Sequence, residues 1–396
     1  MLFKIVKFCC FLYCLFLVFS CEKDTKNLVV QRGALVNAEK QFEIPLSEIS
    51  SVIGDSFPTL LVKHGVKGYK ITYGTIYENK PIYSQALLLI PEGVNTIHLV
   101  AYFHGTNVPM KISGSDKKTP SNYDGSSKNW REVRFCGITL AMSGYCVLLP
   151  DYIGYGITAD KEHPFVYYPE LFKANIDALL ATKKFFQQQH LSYDNRLFLA
   201  GWSQGAGASL SAQKYIEANY TDEFKIVASS NLAGPYNFTR FIEDVFTNSN
   251  KYYRAVGLYT WAGYALNKFS GLNRPSDQIF TFPVYDQVSA FEVITSKPID
   301  LFREYFINNV LNGDDELFRA IILENSFHCG WDPQGLVFLH HGIADDIVPY
   351  FNSEDAFRDL NESSSNVYFY SYENATHDSH LDEYIKRTIE DFNKLK

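Results

Sequence analysis

The chain of 396 residues has few cysteines, no block of like charge and no apolar run long enough to cross a bilayer. Each absence removes a class of protein. Four of the seven cysteines, Cys9, Cys10, Cys14 and Cys21, fall near the N-terminus. The other three, Cys136, Cys146 and Cys329, are too few for a disulfide framework and lack metal-ligand spacing. They allow one bridge in an oxidising compartment, and buried free thiols are the plainer reading. A net charge of -8 without a Lys/Arg cluster gives no support for binding nucleic acid. The N-terminal apolar run, Phe8 to Phe19, is 12 residues long, against about 20 for a membrane-spanning helix. No repeat or low-complexity stretch interrupts the chain. Aromatic residues, by contrast, are abundant, with 27 Tyr and 31 Phe. That excess argues against disorder and for a large aromatic core or an aromatic-lined binding surface.

The first residues read as a targeting segment that lies outside the fold. Lys4 and Lys7 precede the apolar run, and Ser20-Cys21 and the polar stretch Glu22 to Lys26 follow it. Residues 1–20 are therefore expected to be a signal peptide. Val18-Phe19-Ser20-Cys21 resembles a bacterial lipobox. The resemblance implies that Cys21 carries lipid and anchors the protein at a bacterial outer membrane or cell surface. A plain signal peptide cut nearby, with a secreted or periplasmic product, is the alternative.

Residues 21–65 give no firm assignment. Beyond them, Gly68 to Tyr77 alternates, Lys80-Pro81 marks a turn, and Ile82 to Pro91 reads as a second strand, so an antiparallel hairpin is expected. The rhythm then changes to strand, loop and helix. Strands are expected at 98–103, 146–150, 196–200, 225–230, 336–340 and 367–372, and helices at 132–143, 169–190, 206–217 and 381–395. Such alternation implies a mostly parallel sheet covered on both faces. The alternation lapses over 235–333, which is rich in Phe, Tyr and Trp with helix-like spacing. The expected organisation is an α/β core of 66–234 and 334–396 carrying a helical lid or cap at 235–333. Insertions into such sheets leave from strand C-terminal ends, where ligands bind.

The chemistry is concentrated in Gly201-Trp202-Ser203-Gln204-Gly205, between an expected strand and an expected helix. A serine flanked by glycines in that context is a nucleophile elbow. Gly201 and Gly205 relieve the crowding of the turn, and the hydroxyl stands at a helix N-terminus that favours developing negative charge. A serine needs a base, and the base an orienting carboxylate. Asp345 and Asp346 follow the 336–340 strand and compete for the acid's role. His377, between the last strand and the last helix, is the candidate base, with His380 as the alternative. The remaining histidines read as structural or exposed. One oxyanion donor is the backbone N–H of Gln204. The other is that of Thr106, in the loop His104-Gly105-Thr106-Asn107 after the 98–103 strand. The set needs neither metal nor organic cofactor. The order Ser203, Asp345, His377 is that of α/β-hydrolases, not of chymotrypsin or subtilisin.

These residues resemble the α/β-hydrolase superfamily and, within it, the secretory lipase group that includes Candida antarctica lipase A. The match rests on five segments: His104-Gly105-Thr106, Pro150 to Gly156 with His163-Pro164, Gly201 to Gly205, Asp345 to Pro349, and His377. The resemblance implies Asp345 as the triad acid and a helical lid over 235–333. Gln204 stands where some members have glycine, and the lid offers no one-to-one match. Asp151, in the second segment, reads as structural.

The leading expectation is thus a serine esterase or lipase acting on carboxylic esters through an acyl-enzyme, its aromatic lid favouring acyl chains. An acetyl or feruloyl esterase acting on polysaccharide fits the same residues. A prolyl-oligopeptidase-type peptidase shares the Gly-Trp-Ser-x-Gly elbow, but the residues before Val66 cannot make its propeller. A silent surface lipoprotein that binds glycan or lipid is the non-enzymatic alternative.

Overall fold

The computed structural model describes residues 30–53, 61, 63–108, 119–126, 130–293 and 295–396. The expected signal peptide and Cys21 lie outside them. One nine-stranded sheet runs in the order β1-β2-β3-β5-β4-β6-β7-β8-β9. Strands β1 (Leu35–Ile44), β2 (Val66–Tyr77), β3 (Lys80–Pro91) and β5 (Cys146–Pro150) pair antiparallel in sequence across one side. From β5 onward, β4 (Ile97–Phe103), β6 (Tyr193–Trp202), β7 (Lys225–Leu232), β8 (Leu336–Gly342) and β9 (Val367–Tyr372) are all parallel. This is the fold of the α/β-hydrolases, as the strand rhythm implies.

The hairpin turn lies earlier than Lys80-Pro81. Tyr77 pairs directly with Lys80, so the loop is Glu78-Asn79, at φ 47° and 61°. Positive φ at both positions is the type I′ geometry that matches strand twist. Pro81 therefore sits inside β3. Strand β1 lay in the unassigned segment. It is an edge strand with only Ile44 buried, so the apolar alternation that announces a strand is weak there.

The central strands are apolar on both faces. Leu99, Ala101, Leu197 and Leu199 join one buried cluster with the helices Tyr168–Gln188 and Gln204–Asn219. Val100, Phe198 and Ala200 join another with Thr139–Met142 and Leu381–Asn393. The last helix shows why it docks: Leu381, Tyr384, Ile385, Thr388, Ile389 and Phe392 repeat at helical spacing and are all buried. The helix expected over 132–143 opens with a π-helical turn, Val133–Ile138, a local widening often found near functional sites.

Among the described residues, the chain between β7 and β8 builds five α-helices, Phe238–Thr247, Val256–Phe269, Gln287–Phe291, Glu304–Asn312 and Glu316–Glu324. They pack through aromatic rings, with Phe246, Phe280 and Phe306 all against Phe302. Cys136 and Cys146 are buried free thiols, and Cys329 is free and exposed. Among the described residues no helix is long and apolar enough to cross a membrane.

Candidate active site

Strand β6 ends at Trp202 and the helix Gln204–Asn219 begins two residues later, so the turn must be made at Ser203. Ser203 takes φ 57° and ψ -122°, a conformation that costs a non-glycine residue about 1–3 kcal/mol. The surroundings enforce it. The Ser203 N–H donates to the Leu232 carbonyl at 2.8 Å. A Cβ on Gly201 would lie 2.2 Å from the Gly205 carbonyl oxygen, and one on Gly205 would lie 1.9 Å from that of Phe103. Only hydrogen fits at both positions. The Tyr384 hydroxyl accepts from the Gly201 N–H at 3.1 Å and donates to the Ser230 carbonyl at 2.8 Å, which ties the elbow to the last helix.

Two loops bring side chains to this serine. The Ser203 hydroxyl donates to His377 Nε2 at 2.8 Å, and His377 Nδ1 donates to Asp345 Oδ2 at 2.8 Å. The alternatives point elsewhere. His380 lies against Ser379 at the start of the last helix. Asp346 is half exposed and pairs with Arg254 at 2.9 Å. Asp345 is held from every side: Oδ1 accepts from the N–H groups of Ile347 and Val348, at 2.9 Å each. His341 Nε2 donates to Oδ2 at 3.1 Å. Burial alone pushes this carboxyl's pKa up, but the hydrogen bonds from His341 and His377 outweigh it and hold it well below the usual carboxylate range.

Other residues of the site lie in or near the sequence motifs without announcing what they touch. His341 is fully buried, donates to Asp345 and accepts from Ser353 at 2.7 Å. The Trp202 indole N–H donates to the His377 carbonyl at 3.0 Å. His163, buried, donates through Nδ1 to the Ile153 carbonyl at 2.7 Å and accepts through Nε2 from the Gln204 side chain at 2.5 Å. Burial lowers its pKa to about 3, so it is neutral and its tautomer is fixed by Ile153. The Trp202 and His163 contacts span 175 and 41 residues of chain, which no local pattern announces. Asp151 proves to be a fastener, its carboxylate accepting from the Ser121 N–H and hydroxyl at 2.8 and 2.6 Å.

Thr106, Ser203 and Gln204 share one cavity, whose remaining wall is mostly apolar and includes Phe238, Phe241, Tyr259 and Val348. Phe238, Phe241, Tyr259 and Ala262 also wall a second cavity, lined throughout by apolar and aromatic side chains of the helices between β7 and β8 and of Phe302.

A mostly parallel sheet with the serine on a strand–helix elbow defines an α/β-hydrolase. The chain belongs to the secretory lipase family, whose model matches residues 134–387, and it is accordingly a carboxylic ester hydrolase. It is 22% identical over 333 residues to the secreted triacylglycerol lipase LIP2 of Malassezia globosa, covering 79% of this chain and 69% of the relative. Its fold is similar to that of the rice cell wall degrading esterase LipA from Xanthomonas oryzae. There the TM-score is 0.74 and the identity 21%, over 92% of this chain and 100% of that one. Candida antarctica lipase A in its closed state is also similar, with a TM-score of 0.59 and 18% identity over 88% and 78% of the two chains.

Proposed function

We propose that the protein hydrolyses esters with an apolar acyl group through an acyl-enzyme on Ser203. The observation that carries this reading is the continuous hydrogen-bond line from Ser203 Oγ through His377 to Asp345, each link 2.8 Å. His377 Nε2 takes the serine proton as Oγ attacks the ester carbonyl. Asp345 holds the other ring nitrogen protonated, which keeps the correct tautomer and stabilises the imidazolium. The carbonyl oxygen, now negative, accepts hydrogen bonds from the backbone N–H groups of Gln204 and Thr106. The first lies at a helix N-terminus, where N–H groups have no intrahelical partner. The imidazolium returns its proton to the leaving alkoxide. The neutral ring then takes a proton from a water that attacks the acyl carbonyl, and passes it to Ser203 Oγ as the bond between that oxygen and the acyl carbon breaks.

The inserted helices of 235–333 act as the cap, and the apolar cavity behind Phe238 and Phe241 takes the acyl chain. The Lys4 to Cys21 pattern supports export, and the lipobox-like Val18 to Cys21 supports an N-terminal lipid anchor. A second reading is a cell-wall ester substrate, as for the Xanthomonas oryzae esterase; the apolar lining favours the first.

A chain-length series of p-nitrophenyl esters, acetate to palmitate, tests the proposal with the mature protein and its Ser203→Ala variant. Turnover is expected to fall by about 10⁶-fold in the variant, and the wild-type rate to peak at an acyl chain longer than acetate. Equal rates in both proteins would remove Ser203 from the mechanism. A serine-dependent rate confined to acetate would move the substrate to short acyl groups on a polysaccharide.

A further inference from the structure

Outside the triad, the described residues bury one carboxyl directly against the oxyanion loop. Glu132 is 6% exposed and stands at the start of the π-helical turn Val133–Ile138. Among the described residues no cation is paired with it. Burial raises its pKa to about 7, and hydrogen bonds from Gly105 and Tyr102 offset part of that rise. A buried carboxyl without a counter-charge is costly, so its place demands an acceptor. The demand comes from the backbone. Strand β4 ends at Phe103, and the chain then leaves the sheet, so the Gly105 N–H has no strand to pair with. Glu132 Oε1 accepts from that N–H at 2.8 Å and from the Tyr102 hydroxyl at 2.8 Å. A Cβ at Gly105 would lie 2.9 Å from the Trp202 ring and 3.5 Å from Glu132 Oε2, so this residue is packed tightly against both the elbow and the carboxyl.

The next peptide, which carries the Thr106 N–H, is fixed as well. His104 Nδ1 donates to the Gly105 carbonyl at 2.7 Å. In a trans peptide the N–H points opposite to that carbonyl, so the bond aims the Thr106 N–H. Burial lowers the His104 pKa to about 4, so the ring is neutral.

We propose that Glu132 is a positioning residue of the oxyanion hole, which by accepting the Gly105 N–H sets the direction of the Thr106 N–H. The inference rests on the reading of Ser203 and Thr106 given above. It assigns Glu132 no contact with substrate and no proton transfer.

Steady-state kinetics on p-nitrophenyl butyrate, thermal melting, labelling of Ser203 by a fluorophosphonate and inhibition by phenylboronic acid, whose serine adduct is tetrahedral, test the proposal. The variants are Glu132→Ala and Glu132→Gln. Glu132→Ala is expected to lower kcat about 30- to 100-fold, since a displaced catalytic group costs about that much, with KM within about threefold. Phenylboronic acid should bind more weakly by a similar factor. Glu132→Gln keeps an oxygen that accepts both hydrogen bonds, and should recover kcat to within about fivefold of wild type. If Glu132→Ala does not fold, Glu132→Met fills the space without an acceptor and carries the same expectation. A kcat within twofold of wild type in either apolar variant would overturn the proposal. So would a loss that appears only in KM, or one that tracks a reduced fraction of folded enzyme. A folded Glu132→Gln as slow as Glu132→Ala would overturn it too. Loss of wild-type activity on Ser203→Ala checks the underlying site independently of any Glu132 result.

Discussion

The sheet core and the inserted helices are held together in different ways. In the core, backbone meets backbone. Adjacent strands pair along their length, Gly201 and Gly205 stand against carbonyl oxygens closer than any Cβ allows, and Ser203 is bent into a strained turn. In the insertion, side chain mostly meets side chain. Short helices are spaced by Phe and Tyr rings whose centroids lie 5–6 Å apart, as between Phe246 and Phe302 or Phe306 and Phe318. Gly257, whose Cβ position would meet the Phe291 carbonyl oxygen at 2.4 Å, is an exception. Backbone contacts accept few residue types at each position. Packed rings accept many, provided total volume is kept. The core can therefore hold side chains in one geometry, while the helices between β7 and β8 can vary without disturbing them.

Asp345 and Asp346 are neighbours in sequence that belong to opposite sides of this contrast. Asp345 is gripped by two backbone N–H groups and two histidines. Asp346 reaches out to Arg254, in the segment between β7 and β8, and both side chains are about half exposed. Asp345→Asn is expected to lower kcat by about 10⁴-fold, because an amide disfavours the tautomer His377 needs. Asp346→Asn removes an exposed pair, worth at most about 1 kcal/mol, and should leave kcat within a few fold. Ester hydrolysis by both variants, with matched melting curves, checks this. The reverse ranking would move the acid to Asp346 and make the contact with the insertion part of the chemistry.

The same contrast explains what could be seen in the sequence. Strands β4 to β9 and the elbow are short apolar runs followed by polar or glycine-bearing loops, and that local pattern needs no knowledge of distant contacts. The residue pattern left Asp345 and Asp346 level, because what separates them is the direction of a loop. The contacts of Glu132, His163 and His341 are illegible in the sequence for a related reason. Glu132 meets Gly105 and His163 meets Gln204 across 27 and 41 residues, and a lone polar residue before a helix announces no partner. Edge strand β1 is hard to read in the sequence because most of its exposed side chains are polar and only Ile44 is buried. In the insertion, helix-like spacing was visible, but which rings touch depends on packing in three dimensions.

Two glycines sharpen the comparison at the level of stability. Gly205→Ala places a methyl group 1.9 Å from the Phe103 carbonyl oxygen. Neither backbone can retreat without disturbing the elbow and the end of β4. The expected loss is more than about 3 kcal/mol, at the upper end for single substitutions. Gly263→Ala, within the helix Val256–Phe269, meets only the side chains of Phe302 and Phe280, at 3.3 Å and beyond. Alanine also favours a helix over glycine by about 1 kcal/mol, so stability should change by less than about 1 kcal/mol in either direction. Denaturant unfolding of both variants measures the difference. A destabilised Gly263→Ala with a tolerated Gly205→Ala would invert the assignment of rigid and adaptable regions.

Acid should separate the two regions more gently. The inserted helices contain no histidine between residues 238 and 324, whereas the core buries three whose pKa burial depresses: His104 to about 4, and His163 and His340 to about 3. Each stays neutral in the folded protein while its unfolded counterpart takes up a proton below about pH 6.5. Between pH 6.5 and 4.5 the unfolded chain therefore binds more protons at these sites, and stability falls as pH falls. Glu132 acts in the opposite sense. Its pKa is raised to about 7, so over the same range the folded state holds a proton that the unfolded state has lost, and its contribution grows as pH falls. His98 and His328 are lowered by burial as well, and Glu217 and Asp177 are raised like Glu132, so five histidines against three carboxyls leave a net destabilisation on acidification, of about 1–2 kcal/mol per pH unit once imperfect burial is allowed for. Calorimetric scans at pH 6.5, 5.5 and 4.5 should show the melting temperature dropping at each step. Glu132→Gln, which removes one of the opposing groups, should steepen the drop. A melting temperature constant over this range would mean that the buried histidines are protonated in the folded core, and that the core yields to charge as readily as the insertion does to volume.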